Sequence, residues 1–292
     1  MRELRTTEKL IITVAPTGAF QGKEANPNLP TIPEEIAKAA YDAWNEGASV
    51  IHIHARDNQG KPTSDPEILI EIDRRIREQN CDIIIQHSTA SDYIPRLGAD
   101  KRIKAIEMNP EMASLDITMP RMISFGGKES IYITTLPEIE YGAQVMLERG
   151  VKPELEVFNP VLMEDVYTLI EKKLLAKPYW VSFCMGMRRI NRAYMPYSPR
   201  LLMQLIDALP NDSLFTVMGV GTDELPSTTQ SILLGGHLRV GFEDNVYYRR
   251  GELAQSNAQL VARAARIGRD IGCEIASPAE ARQILNIPAY KK

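Results

Sequence analysis

The chain has 292 residues, 44% of them hydrophobic and 25% charged, which is the balance of an ordinary folded protein rather than a disordered one. Its formal net charge of -4 is small for this length and argues against a dedicated nucleic-acid binder. The opening MRELRTTEKL has no apolar signal core, and no apolar run is long enough to span a bilayer, so no membrane partner is expected.

Short β-branched runs predict strands at Leu10 to Val14, Val50 to His54, Asp82 to Gln86, Ala113 to Ile117, Leu155 to Phe158, Trp180 to Cys184, Leu214 to Met218 and Leu238 to Phe242. Between them, helical periodicity marks Glu34 to Asn45, Asp65 to Gln79 and Glu138 to Glu148, among others. Thr31-Ile32-Pro33 and Ser64-Asp65-Pro66 read as helix starts, with a polar cap before proline and acids in the first turn. Gly47 and Gly150 read as helix ends. About eight strand–helix units without a linker-like break predict α/β architecture, a (β/α)₈ TIM barrel, with a doubly wound open sheet as the rival. The first βα turn, Ala15 to Phe20, lacks the GxGxxG fingerprint, which weakens the dinucleotide-binding form of that rival. Residues 1–292 are expected to form one barrel domain with a C-terminal helical extension.

The segment Ser49-Val50-Ile51-His52-Ile53-His54 carries the first chemical signal. Alternate residues of a strand share a face, so His52 and His54 point the same way. Two imidazoles at the carboxyl end of a buried strand form half of a metal site, the alternative being two hydrogen-bonded core histidines. Gly241-Phe242-Glu243-Asp244-Asn245 ends the last predicted strand, and a carboxylate there is placed to complete a His₂-carboxylate set with one open position; otherwise the two acids cap the next segment. Arg239 shares the face of Glu243 and is placed to bind a carboxylate or to orient Asp244.

Other strand ends add polar groups. Ser88 is a hydrogen-bond donor for substrate or a helix cap. His87 is expected to be packed. Ser114 and Asp116 alternate on one strand. Glu156 is expected at the polar mouth, because an unpaired charge on an apolar strand is costly; its alternative is a solvated strand entrance shared with Glu154. Met187 to Arg192 brings three arginines, Arg188, Arg189 and Arg192, to the mouth as a clamp for an anionic group or as a solvated loop. Gly219-Val220-Gly221 is a weak anion-binding signal. Arg263, Arg266 and Arg269 read as a solvated or interface stripe. The three cysteines, Cys81, Cys184 and Cys273, form no CxxC pair and fit a reduced, cytoplasmic compartment.

These residues together resemble the β-keto acid cleavage enzyme family over nearly the whole chain. The resemblance rests on Thr17-Gly18-Ala19, Pro27-Asn28-Leu29-Pro30, Gly47 to His54, Gln86 to Thr89, Pro110 to Ala113, Pro153 to Glu156, Gly235 to Asn245 and Ser256 to Val261. It implies a TIM-barrel acyltransferase that condenses a β-keto acid with acetyl-CoA to give acetoacetate and a new acyl-CoA. It implies Zn2+ on His52, His54 and Glu243, with Asp244 as base, Arg239 orienting it, and Glu156 lining the site. Ser88 and Ser114 match substrate-contacting hydroxyls, and a homotetramer is implied. Two positions depart from the pattern. Phe20 stands where members acting on an amino-substituted keto acid carry an acid, which favours a neutral or apolar substrate. The Met187 to Tyr194 loop replaces a glycine-rich stretch, and its Arg189 favours an anionic one.

Three other readings compete. A metal-dependent barrel hydrolase also begins with HxH but needs histidines on the fifth and sixth strands, and the remaining two of four histidines, His87 and His237, lie elsewhere. A two-His-one-carboxylate iron oxygenase usually has a different, all-β fold. A non-catalytic ligand-binding homologue leaves several polar strand ends without a task.

Overall fold

Strands whose outward residues are apolar must be covered by helices, and a chain that repeats strand and helix can satisfy them all by closing the sheet on itself. The computed structural model describes residues 8–90, 99–117, 121–125, 128–132, 134–187 and 194–289, with backbone alone at 99–102, 121–125 and 128–132. Eight strands form the barrel: β1 (Ile12–Val14), β2 (Val50–Ile53), β3 (Ile84–His87), β4 (Met112–Ile117), β5 (Lys152–Val157), β6 (Tyr179–Met185), β7 (Ser213–Gly219) and β8 (His237–Val240). Each pairs in parallel with its sequence neighbours, and β8 pairs with β1 to close the ring. The helices are α1 (Pro33–Asn45), α2 (Pro66–Glu78), α3 (Ala99–Glu107), α4 (Leu136–Arg149), α5 (Met163–Glu171), α6 (Pro199–Asp207), α7 (Glu224–Leu233), α8 (Asn257–Ile271) and α9 (Pro278–Leu285). Among the described residues no helix is long and apolar enough to cross a membrane.

The predicted strands and helices are all present, with ends shifted by at most three residues. The first predicted strand is interrupted at Ile11: Lys9–Leu10 pairs with Glu274–Ile275, while Ile12–Val14 joins the barrel. The start of α1 differs from expectation. Ile32 is the capping residue and gives no side-chain bond; Thr31 lies one position outside, its backbone N–H donating to Glu35 at 2.9 Å. Asp65 does cap α2, accepting from the Glu67 N–H at 2.9 Å.

Alternation along the strands sorts the interior into layers. Ile51 and Ile53 of β2 pack outward against the helices, whereas Val50 faces inward with Ile11, Ile84, Met112 and Trp180 at the N-terminal end of the barrel. Helix α9 plugs this end with Ala281 and Leu285. Arg282 fixes the plug by pairing with Glu111, which Arg77 also holds at 2.9 Å. Above this apolar floor the inward positions become polar, and every buried polar group there needs a partner or a ligand.

Because the floor lies opposite the mouth, its packing supports stability without touching chemistry. Leu285→Ala, at a fully buried side chain, should cost about 2–5 kcal/mol by denaturant unfolding. Catalytic constants of the variant should stay within a few-fold of the parent; their collapse would show that the plug and the mouth are not independent.

Candidate active site

The C-terminal ends of the strands deliver the polar side chains to one cavity of about 370 Å³. Its walls include His52 and His54 from β2 and the loop after it, Ser88, Asp116, Glu156, Arg239 and Glu243. His54 Nε2 lies 3.3 Å and His52 Nε2 3.9 Å from the Glu243 carboxylate. These residues offer three ligand atoms within 4.8 Å of one another.

Two glycines let the third member of that set arrive. Gly241, after β8, has φ +146° and lies so close to the β1 strand end that an added Cβ would meet the Ala15 carbonyl oxygen at 2.2 Å. Gly18, at φ +63°, leaves space for the Glu243 side chain, whose Cγ an added Cβ would meet at 2.4 Å. Arg56 holds the same turn from below, donating from Nε to Thr17 Oγ1 at 3.1 Å and from Nη2 to the Gly18 carbonyl at 2.7 Å.

Arg239, 1% exposed, is the charge centre of the site. It donates to both oxygens of Asp244, at 2.9 and 3.0 Å, to Glu243 at 2.6 Å and to Glu156 at 3.3 Å. Burial resists the ionisation of Glu243, but the Arg239 guanidinium holds it well below the ordinary carboxyl range. Burial pushes Asp244 up to about 7, with Arg239 opposing. Burial and the neighbouring Asp116 and Glu154 push Glu156 well above the usual range, so it tends to keep a proton that it shares by hydrogen bond with Asp116. Burial, then Arg239, drives His52 well below 6.5, leaving its imidazole neutral. Two imidazoles beside an ionised carboxylate are the donor types a divalent cation such as zinc takes, and Glu243 Oε2 is buried without a hydrogen-bond partner.

The expected residues are not all placed alike. His52, His54, Glu243, Arg239, Glu156, Ser88 and Phe20 line the cavity. Asp244 is 4% exposed and sits behind the Arg239 guanidinium rather than on the cavity wall. Ser114 also lies off the wall, its Oγ accepting from the Thr89 N–H at 3.1 Å. Glu154 and Glu156 are buried, not at a solvated entrance. His87 is packed as expected, its Nε2 3.0 Å from Asp73. The Gly221 N–H donates to the Asp244 carbonyl at 2.8 Å and so serves the loop rather than an anion. Arg263 is buried against Glu224 at 2.9 Å, not solvated. Arg188, Arg189 and Arg192 lie outside the described residues. Asp116, Phe158, Tyr194 and Met218 on the wall had no role assigned from sequence; the alternation of Asp116 with Ser114 was the one signal for any of them.

A closed parallel barrel with its polar cluster at the C-terminal end defines the class as a TIM-barrel protein with an enzyme-type mouth. A sequence model of the beta-keto acid cleavage enzyme family matches residues 9–287. The 3-keto-5-aminohexanoate cleavage enzyme of Fusobacterium nucleatum is 41% identical over 280 residues, 96% of this chain and 98% of that protein. The 3-oxoadipate:acetyl-CoA acetyltransferase of Cupriavidus necator is 30% identical over 98% of this chain and 97% of that protein. Among solved structures, a binary complex of ObcA with oxaloacetate shares the fold, with a TM-score of 0.73 at 17% identity over 90% of this chain and 68% of that one. The chain belongs to the β-keto acid cleavage enzyme family. It is accordingly an enzyme that breaks a carbon–carbon bond.

The donor set makes a direct prediction. His52→Ala should lose stoichiometric zinc on metal analysis after dialysis while keeping the barrel's circular dichroism; retention of a full equivalent would remove His52 from the ligand set.

Proposed function

We propose that this protein is a zinc-dependent acyltransferase that condenses a β-keto acid of neutral, apolar side chain with acetyl-CoA, giving acetoacetate and the corresponding acyl-CoA. The observation that carries this reading is the convergence of His52, His54 and Glu243 in a cavity whose remaining wall is largely apolar. Phe20, Ala90, Phe158, Met187, Tyr194 and Met218 supply that wall, with the Phe158 and Tyr194 rings 4.8 Å apart. Among the described residues the one cationic side chain on the wall is Arg239, already engaged by three carboxylates. An apolar substituent therefore fits this wall better than a carboxylate. The relatives support acetyl-CoA as co-substrate, since one is named an acetyl-CoA acetyltransferase.

His52, His54 and Glu243 would hold a zinc ion, which when bound would supply Lewis-acid polarisation of the substrate ketone. The chain's own residues do the rest. Arg239 keeps Asp244 oriented, and substrate competing for the guanidinium would free that carboxylate. Asp244 then takes a proton from the carbon between ketone and carboxylate. That carbon attacks the acetyl thioester carbonyl and the CoA thiolate leaves. The thiolate attacks the original ketone carbon, the carbon–carbon bond breaks, and the acetoacetate carbanion recovers the proton from Asp244. Glu156 holds a proton at the cavity wall, and Ser88 presents a hydroxyl there. Ser114 supports Thr89 next to Ser88 and acts from behind.

Incubating the zinc-loaded enzyme and acetyl-CoA with β-keto acids of apolar, cationic and anionic side chain should yield acetoacetate, detected by mass spectrometry, most rapidly from an apolar member. In the same assay Asp244→Asn should keep its zinc and lose about 10²–10⁴-fold in turnover. Absence of acetoacetate from every member would overturn the reaction, and near-normal turnover by Asp244→Asn would remove it as base.

A further inference from the structure

The turn that carries Glu243 and Asp244 is held by a buried ion pair that takes no part in the chemistry above. Glu224, at the start of α7, is 0% exposed, and Arg263, in α8, is 7% exposed. Arg263 Nη2 donates to Glu224 Oε1 at 2.9 Å, and its guanidinium stacks over the Tyr248 ring at 4.9 Å. Both Glu224 oxygens then serve the catalytic turn. Oε2 accepts from the Gly241 N–H at 3.4 Å, and Oε1 accepts from the Asn245 side-chain amide at 3.3 Å. The two ends of the five-residue segment are thus tied to one carboxylate. Its middle is tied elsewhere, Phe242 N–H to Asn257 at 2.8 Å and Glu243 N–H to the Ala15 carbonyl at 3.1 Å.

A buried ion pair is a weak source of net stability, because desolvating both charges consumes most of their attraction. Apolar residues of similar volume would fill the space between α7 and α8 at no such cost. What they could not do is accept hydrogen bonds from both ends of a turn whose Gly241 lies at φ +146°. Glycine reaches that conformation freely but reaches many others too, so the surrounding hydrogen bonds are what select it.

We propose that Glu224, fixed by Arg263, is a positioning residue: it sets the Gly241–Asn245 turn and thereby the placement of Glu243 against the histidines and of Asp244 against Arg239. The proposal rests on the function stated above for its effect on turnover, but not for its effect on the turn. Glu224→Gln offers one acceptor in place of two and brings an amide donor against Arg263. Asn245→Ala removes one tie and leaves the ion pair whole, so it covers the case in which Glu224→Gln does not fold.

The test is hydrogen–deuterium exchange on the full chain, with zinc affinity by chelator competition and steady-state kinetics on the same samples. In either variant, exchange in peptides spanning residues 240–246 should accelerate by at least about tenfold while peptides of α1 to α6 stay unchanged. The zinc dissociation constant should rise by about 10–100-fold, and kcat should fall with a much smaller change in KM. A merely structural role would raise exchange throughout and leave kcat and zinc affinity of the folded fraction intact. Unchanged exchange at 240–246, or a loosened turn with parental zinc affinity and kcat, overturns the proposal. If the parent itself shows no turnover, the functional reading fails alone, and the exchange pattern still decides whether Glu224 holds the turn.

Discussion

Arg239 is buried in the barrel with its guanidinium against Glu156, Glu243 and Asp244, and the electrostatics of the mouth depend on it. With Asp116 and Glu154, five carboxyls crowd this interior, all of them buried except the partly exposed Glu243. Such a cluster cannot be ionised throughout, because each unpaired charge in the interior costs several kcal/mol. The guanidinium divides the acids by distance. Glu243, which also faces the two histidines, is held ionised, whereas Glu156 is pushed toward its protonated form. Asp244 sits between these extremes, near 7, where a group can both accept and return a proton. Carboxyls of three different protonation tendencies thus arise around one guanidinium.

The barrel separates this polar mouth from what keeps it folded. Its floor of Ile11, Val50, Ile84, Met112 and Trp180 is closed by α9, and the outward faces of the strands pack under the helices. The mouth is instead over-determined by hydrogen bonds. Arg56 fixes the turn after β1, and Asn257, Ala15 and Glu224 fix the turn after β8. The two turns meet where Gly18 makes room for Glu243. The approach of Glu243 to His52 and His54 is therefore set by the backbone around it.

Much of this was legible in the sequence. Strand alternation alone put His52 and His54 on one inward face, and the repeat of strand and helix implied closure. The end of the last predicted strand offered a third carboxylate, the family resemblance pointed to Glu243, and the geometry brings it to 3.3 Å from His54. Other features depended on contacts far apart in sequence. Arg263 looked like part of a spacing-three surface stripe, because nothing local shows that Glu224, 39 residues earlier, buries it. Phe158, just after β5, and Met218, on β7, become one wall only when the barrel closes. Thr31 resembled a cap, but the backbone turns helical one residue later than its side chain can reach. Ser114 matched a substrate-contacting hydroxyl, but its Oγ meets the Thr89 N–H instead of the cavity.

The most direct test of a preformed His–His–carboxylate centre is zinc K-edge X-ray absorption on the metal-loaded enzyme. The account predicts two imidazole scatterers at about 2.0–2.1 Å with the remaining positions filled by light oxygen donors. A sulfur shell, a single imidazole, or zinc coordinated by oxygen alone would contradict it.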